Sequence, residues 1–325
     1  MITLQKAKDK DFVVLNLTDP QMKDEEWGEG HTSRKVIEKT LAELVDRVKP
    51  DLITVSGDIA WTGCEHSFDM TSKLIDSFGI PWSVVWGNHD NEKGPEFVNM
   101  IAERFSKLPN FIYEKGEPTL GIGNYIISIE EEGKPIEAIF MLDSHDRAPY
   151  TDENGETKEA WAKLTEVQGE WLLKQSAKLR EDGYKDATLI CHIPIYAYRK
   201  ASAAALKADI PKNSITVEAA NGSDCWNEGY TDSVGVQYEN ICSYPLDDGM
   251  LEVFKNTGLI RQMIAGHDHT NATIISYEGI KLVYGLKCGA GAYWNKNLNG
   301  GTVLLIGENG VKSIYHEYVD VLDLL

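Results

Sequence analysis

The sequence predicts an α/β fold, and three observations carry that reading. Strand-like and helix-like patterns alternate through the first half of the 325 residues. Five separate apolar runs finish in polar tails of one chemical kind: "LTDPQ", "SGDIAW", "WGNHD", "CHIP" and "AGHDH". No internal repeat, low-complexity tract or composition break divides the chain, so residues 1–325 are expected to form one domain.

Each element follows from a local pattern. Phe12 to Thr18 is a strand-sized apolar run that leads straight into polar residues; with no small-residue cleavage site behind it, it reads as a first strand and not as a signal peptide. Ile37, Leu41, Leu44 and Val48 recur at helical spacing, and Pro50 stops that helix. "DLITVSGD" is a β-branched strand that ends on glycine and aspartate. A helical stretch near Ser67 to Phe78 leads to "IPWSVVWGNHD", again a strand with a polar end. Further strands are expected at Asn124 to Ile129 and Ala138 to Leu142. Thr165 to Gln168 has capping-box form and opens a helix that carries Val167, Trp171, Leu172 and Leu179. "ATLICHIP" and "LIRQMIAGHDH" are the next strands. Ile274 to Tyr277, Lys281 to Tyr284, Thr302 to Ile306 and Val311 to Tyr318 close the set. The stretch from about 201 to 248 is long, weakly periodic and rich in Ala, Asn, Ser and Gly, as expected of a lid or binding insertion.

Composition narrows the function. Hydrophobic content of 42% and charged content of 26% are those of a soluble globular protein. No apolar stretch approaches the roughly 20 residues that cross a bilayer. Five scattered cysteines without a CxxC pair fit reduced thiols, hence a cytoplasmic location. A net charge of −19 repels phosphate backbones and disfavours avid nucleic-acid binding. It leaves room for a small phosphorylated substrate where a bound cation reverses the field locally. Nothing in the sequence speaks to oligomeric state.

The five strand ends supply Asp19, Gln21, Asp58, Asn88, His89, Asp90, His192, His267 and His269. In α/β folds ligands gather beyond the carboxyl ends of parallel strands, so residues remote in sequence can converge there. Carboxylate, amide oxygen and imidazole suit Mn, Fe or Zn, and no thiolate is in the set. One aspartate that gives both oxygens can bridge two cations about 3.5–4 Å apart, the separation of hydrolytic two-metal sites. Strand-period geometry is expected to send His267 and His269 the same way, each toward one ion. Taken singly, His192 reads as a satisfied structural histidine, and Asp19 and Asn88 as turn residues. The joint order, placement and ligand type are what point to a metal pair.

The succession of an Asp motif, GD, GNHD, a lone His and GHxH resembles calcineurin-like metallophosphoesterases, in particular the purple-acid-phosphatase-like branch. "KLPN", "GNY", "LDS", "HIP" and the "YGLKCGAGAYW" loop are similar to a plant and fungal group within it that includes probable inactive purple acid phosphatases. The resemblance runs from about Val13 to about Gly301. It implies a four-layer α/β/β/α sandwich with two divalent ions at one sheet edge. One ion would be held by Asp19, Asp58 and His269, the other by Asp58, Asn88, His192 and His267. His89 would contact the phosphate and assist the leaving group, and Asp90 would help fix His89.

The sequence departs from this family at two positions. Where relatives carry His, or else Gly with a tyrosine ligand after the GD motif, this chain has Gln21, and Trp61 stands at the tyrosine's place. Tryptophan cannot ligate, so purple Fe(III)–tyrosinate chemistry is not expected. Gln21 offers a neutral amide oxygen, directly or through water, so the first ion should bind less tightly or be a harder one such as Mn²⁺ or Mg²⁺. Trp61, Trp86, Tyr196 and Tyr198 adjoin the motifs, either to stack on an aromatic leaving group or to pack the site wall. The expected activity is hydrolysis of a phosphomonoester or small phosphodiester; a catalytically weak regulatory metal-binding protein and a nuclease of the same fold are the alternatives.

Overall fold

The computed structural model describes residues 1–207 and 225–325. Strands β2 (Phe12–Leu17), β3 (Leu52–Ser56) and β4 (Trp82–Val85) lie parallel and side by side. The hairpin of β13 (Gly300–Gly307) and β14 (Gly310–Tyr318) joins them antiparallel through β2, completing a five-stranded sheet in the order β14-β13-β2-β3-β4. The second sheet contains β1 (Ile2–Gln5), β5 (Tyr125–Glu131), β6 (Lys134–Met141), β9 (Ala187–Ile190), β10 (Ile260–Ala265), β11 (Ile274–Tyr277) and β12 (Ile280–Tyr284). Its order is β1-β5-β6-β9-β10-β12-β11, with β9 and β10 parallel.

The two sheets pack face to face. Val14, Leu52, Val85, Ile127, Ile139, Ile190, Ile264 and Leu304 interleave between them with almost no exposure. The outer face of the five-stranded sheet is covered by α1 (Thr32–Val48), α2 (Glu65–Asp76) and α4 (Pro95–Phe105), through Ile37, Leu41, Phe68 and Ile101. Between α2 and α4 lies the single turn α3 (Asn88–Asn91). The other sheet is covered by α5 (Glu166–Glu181), α6 (Ala197–Ala205) and α7 (Met250–Thr257), through Leu172, Ala201 and Phe254. The layers therefore run helix, sheet, sheet, helix. Each fully buried Leu, Ile or Val contributes about 1.5–3 kcal/mol from leaving water, so three apolar layers fix how the two parallel strand sets abut.

The expected capping box is present: Thr165 N donates to Gln168 Oε1 at 2.8 Å, and Gln168 N donates back to Thr165 Oγ1 at 3.2 Å. Beyond the expected elements the structure has β1, the helices α3, α4, α6 and α7, and a separate hairpin of β7 (Arg147–Thr151) and β8 (Thr157–Trp161). Strand β7 alternates between exposed and half-buried and β8 is exposed except for its last two residues, so the hairpin has no buried apolar stripe. Within the expected insertion at 201–248, Ala201 to Ala205 is the end of α6. Later residues bridge to the second sheet's side, Val234 to Ile274 and Gln237 to Asn271. Residues 208–224 of that insertion lie outside the described residues. No helix among the described residues is long and apolar enough to cross a membrane.

Candidate metal centre

The carboxyl ends of β2, β3 and β4 in one sheet meet those of β9 and β10 in the other, and the polar tails of all five strands close on one buried point. The local backbone is bent hard to achieve this. Asp19, Gln21, Asp58 and His267 all have positive φ, at 51°, 43°, 49° and 77°. Left-handed backbone is uncommon and costly for such residues, and it clusters where surrounding structure forces a side chain into place. Two glycines make the approach possible. A Cβ on Gly87 would stand 2.1 Å from Asp58 Oδ1, and one on Gly266 would stand 2.0 Å from Thr18 Oγ1.

Strand β10 stops at Ala265, before the histidines. Strand period therefore does not orient His267 and His269. A tight turn does: Asp268 N donates to the Gly266 carbonyl at 3.0 Å, and the left-handed His267 swings the chain back on itself.

Two groups of donors result, and Asp58 belongs to both. Ligand atoms of Asp58, His192 and His267 lie within 4.8 Å of one another, as do those of Asp19, Asp58 and His269. His192 Nε2 is 3.3 Å from Asp58 Oδ2, 3.1 Å from Asn88 Oδ1 and 4.0 Å from Asp19 Oδ1. His269 Nε2 is 3.4 Å from Asp19 Oδ1. Both rings are turned by their far nitrogen: His192 Nδ1 donates to the Ser56 carbonyl at 2.8 Å, and His269 Nδ1 to the Tyr293 carbonyl at 2.7 Å. A backbone acceptor of this kind fixes the tautomer of a metal-ligating histidine and leaves Nε2 free for the ion.

The electrostatics fit a cation site. Burial would raise Asp19 and Asp58, yet the neighbouring imidazoles (His269 and His192 for Asp19, His192 for Asp58) and the Lys287 ammonium beside Asp19 hold both below the usual carboxylate range. Burial opposes a charge on His192, but Asp58 and Asp19 outweigh it and raise its pKa to about 10. Burial, helped by the charge on His192, lowers that of His267 to about 3. Asp19 Oδ1, Gln21 Oε1, Asn88 Nδ2 and His267 Nε2 are buried without a hydrogen-bond partner. Buried polar atoms are rarely left orphaned in folded proteins. Three of them, Asp19 Oδ1, Gln21 Oε1 and His267 Nε2, carry lone pairs beside the shared Asp58 carboxylate and match what a pair of divalent ions requires; the Asn88 amide nitrogen has none to give, and its Oδ1, 3.1 Å from His192 Nε2, is the atom able to ligate.

A cavity of about 140 Å³ opens onto these groups, walled by Gln21, Asp58, Trp61, His89, Trp161 and Tyr293. An aromatic ring backs each of three imidazoles. Trp61 packs on His89 at 4.4 Å between centroids, Trp161 meets His267 edgewise at 4.4 Å, and Tyr293 stacks on His269 at 4.2 Å. Of the aromatics singled out in the sequence, Trp61 alone lines the cavity. Trp86 and Tyr198 are buried in the helix-facing cores, where Trp86 Nε1 donates to Tyr113 OH and Tyr198 OH to the Met263 carbonyl.

His89 stands at the rim, its backbone N donating to Asp58 Oδ1 at 2.9 Å. Asp90 does not hold its ring. The carboxylate of Asp90 instead accepts Ile59 N at 3.0 Å and Gly87 N at 2.8 Å, which ties the β3 and β4 tails together. Glu92 is the acid beside His89, with Oε1 2.9 Å from Nδ1 though the ring N–H is not aligned for a hydrogen bond. Sequence reading also passed over Trp161, Tyr293 and Lys287. Trp161 lies on a hairpin with no motif of its own, whereas Lys287 and Tyr293 belong to the "YGLKCGAGAYW" loop, whose resemblance carries no site role in the sequence.

The family model described as calcineurin-like phosphoesterase matches residues 12–271. The "Probable inactive purple acid phosphatase 14" of Arabidopsis thaliana is 27% identical over 266 residues, 75% of this chain and 60% of that protein. The "Probable inactive purple acid phosphatase 28" of the same plant is 24% identical over 285 residues, 79% of this chain and 63% of that protein. The chain thus spans about three fifths of the length of these relatives. Among solved structures, a dimetal phosphatase from Danio rerio shares the fold with a TM-score of 0.55 at 13% identity, covering 95% of this chain and 99% of that one.

Proposed function

The chain belongs to the calcineurin-like phosphoesterase family, and on that premise we propose that it hydrolyses a phosphomonoester or small phosphodiester at a pair of divalent ions. The single observation that supports this most is Asp58, whose carboxylate is shared by both donor groups. Asp19, Asp58 and His269 hold the first ion, with the Gln21 amide oxygen turned to the same cavity. Asp58, Asn88, His192 and His267 hold the second. Bound there, Mn, Fe or Zn supplies an activated water near neutral pH and offsets charge on the phosphoryl oxygens.

The chain's own residues do the rest. His89, at the rim with its ring backed by Trp61, contacts the phosphate and gives a proton to the leaving oxygen, the kind of help worth about 10²–10⁴-fold. Asp90 keeps the β3 and β4 tails in register, so Asp58 and Asn88 face one another. Trp61, Trp161 and Tyr293 keep bulk water from the small cavity. Both sheets contribute to this one site, so residues 1–325 act as one phosphoesterase domain.

A second reading has its own support. Gln21 is a weaker donor than imidazole, and the relatives from Arabidopsis thaliana are named probable inactive. On that reading the chain binds metal but turns over poorly. Elemental analysis of the purified protein, followed by assay of aryl mono- and diesters with each metal added back, separates the two. Hydrolysis that depends on added metal supports the enzyme. Stoichiometric metal without turnover of either ester favours the regulatory reading, and absence of metal binding overturns both.

A further inference from the structure

The hairpin of β7 and β8 has no buried apolar stripe to give the layered core, yet one of its residues reaches the candidate metal centre. Trp161, the last residue of β8, walls the small cavity and meets His267 edge to face. Arg147, the first residue of β7, is its register partner across the hairpin. Directly opposed residues share one face of a two-stranded ribbon and lie close enough to pack. Here Arg147 Cζ stands 3.5 Å from the Trp161 ring centroid. The guanidinium is thus one ring removed from a proposed metal ligand.

Stacking occupies the face of a guanidinium and leaves its N–H donors, which lie in its plane, for an anion. Among the described residues Asp146 is the only carboxylate within ion-pair range of Arg147, 3.8 Å from Nε, too far for the bidentate pair that a guanidinium suits best. The Asp146 Oδ1 at that distance has no hydrogen-bond partner. Trp61, the other tryptophan of the cavity wall, has Lys23 Nζ 5.3 Å from its ring centroid. A chain of net charge −19 therefore sets a cation on each indole of this wall. The cavity itself, about 140 Å³, is well below the volume of an ordinary small-molecule pocket. It has room for a phosphoryl group and little more, so the rest of a substrate lies along the wall.

We propose that Arg147, held on Trp161, is a specificity-determining residue that binds a second anionic group of the substrate, so that the preferred ester carries a carboxylate or a further phosphate beside the phosphoryl group that is cleaved. The Trp161 stack fixes the side chain before the substrate arrives, which lowers the entropy cost of the contact. This rests on the phosphoesterase reading above and narrows its substrate class.

The test is calorimetric titration of the Mn²⁺-loaded full chain with phosphonates, which carry the phosphoryl head but are not hydrolysed. Phenylphosphonate is the reference; its 3- and 4-carboxy derivatives and 1,4-phenylenebisphosphonate add a second anionic group. At least one of the three should bind about three- to tenfold tighter than the reference, the gain expected of a partly exposed charged pair. Whether a carboxylate or the second phosphonate gains more tells which group the guanidinium takes. Arg147→Met, which keeps an apolar stem on Trp161, should cancel the gain, and Arg147→Glu should turn it into a loss. A packing role alone predicts that both variants weaken all four probes alike and keep their ratios. That result, equal affinities in the unaltered chain, or a gain that survives Arg147→Met would overturn the inference and leave the phosphoesterase reading standing. Failure of phenylphosphonate itself to bind would remove that reading, and the inference with it.

Discussion

Glu92 faces His89 across 2.9 Å, carboxylate oxygen to Nδ1, one turn along the same short helical segment. With Trp61 packed against the ring at a tilt of 54°, the imidazole is held from two sides while its cavity edge stays open. His89→Ala should cut turnover by about 10²–10⁴-fold with both ions retained. Glu92→Ala should cost less, on the order of tenfold, because Trp61 still limits the ring. Metal analysis beside steady-state rates checks both; loss of metal from His89→Ala would mean that His89 is a ligand.

On the two-ion proposal Asn88 and His267 would hold the second ion together with Asp58 and His192. Asn88→Ala and His267→Ala should each abolish turnover and loosen that ion, yet leave the melting temperature of the metal-free chain close to the parent. Gln21→His puts an imidazole where a buried amide oxygen now lacks a partner, and it should tighten the ion at Asp19. Unchanged affinity in a Mn²⁺ titration would place Gln21 outside the coordination sphere.

How far the sequence revealed this site depends on what each residue answers to. The proposed ligands at strand ends are legible because a continuous apolar, β-branched run marks a buried strand and its stop on Asp, Asn or His is unusual chemistry, as at Leu52 to Asp58. The capping box at Thr165 was legible because its partners are three residues apart. Orientation was not. His267 and His269 owe their directions to a left-handed turn and to the Tyr293 carbonyl, 24 residues from His269. Asp90 braces two loops instead of its neighbour because Ile59 N and Gly87 N need an acceptor there, a demand set only when β3 and β4 pair. Trp161 arrives on a solvent-facing hairpin without an apolar stripe, and Lys287 carries a charge that sequence statistics place on the surface.

Gly266 is a steric prediction. A methyl group there would meet Thr18 Oγ1 at 2.0 Å and Asp19 Oδ2 at 2.8 Å. Thr18 Oγ1 itself donates to Asp19 Oδ2 at 2.6 Å, so the clash falls on the hydrogen bond that aims Asp19. Gly266→Ala should destabilise by about 1–3 kcal/mol as overpacking does and weaken the ion at Asp19 before the other. Chemical denaturation and metal titration on one preparation read both effects.

Glu137 tests the electrostatics away from the site. It has no exposed surface, accepts Thr188 Oγ1 at 2.8 Å through Oε1, and has no partner at Oε2. Burial, and then the nearby Asp186, push its pKa well above the ordinary glutamate value. The folded chain therefore holds this proton more tightly than the unfolded chain does. Below the unfolded pKa both states are protonated and nothing is lost. As pH rises through the interval up to the folded value, stability falls, and the full penalty, about 1.4 kcal/mol for each unit between the two values, remains above it. Glu137→Gln keeps an acceptor for Thr188 and removes the ionisation. Its melting temperature should exceed the parent's at pH 8, and the gap should close or reverse toward pH 4.5. A gap that does not vary with pH would mean that Glu137 ionises equally in both states and that its neighbourhood is wetter than its burial implies.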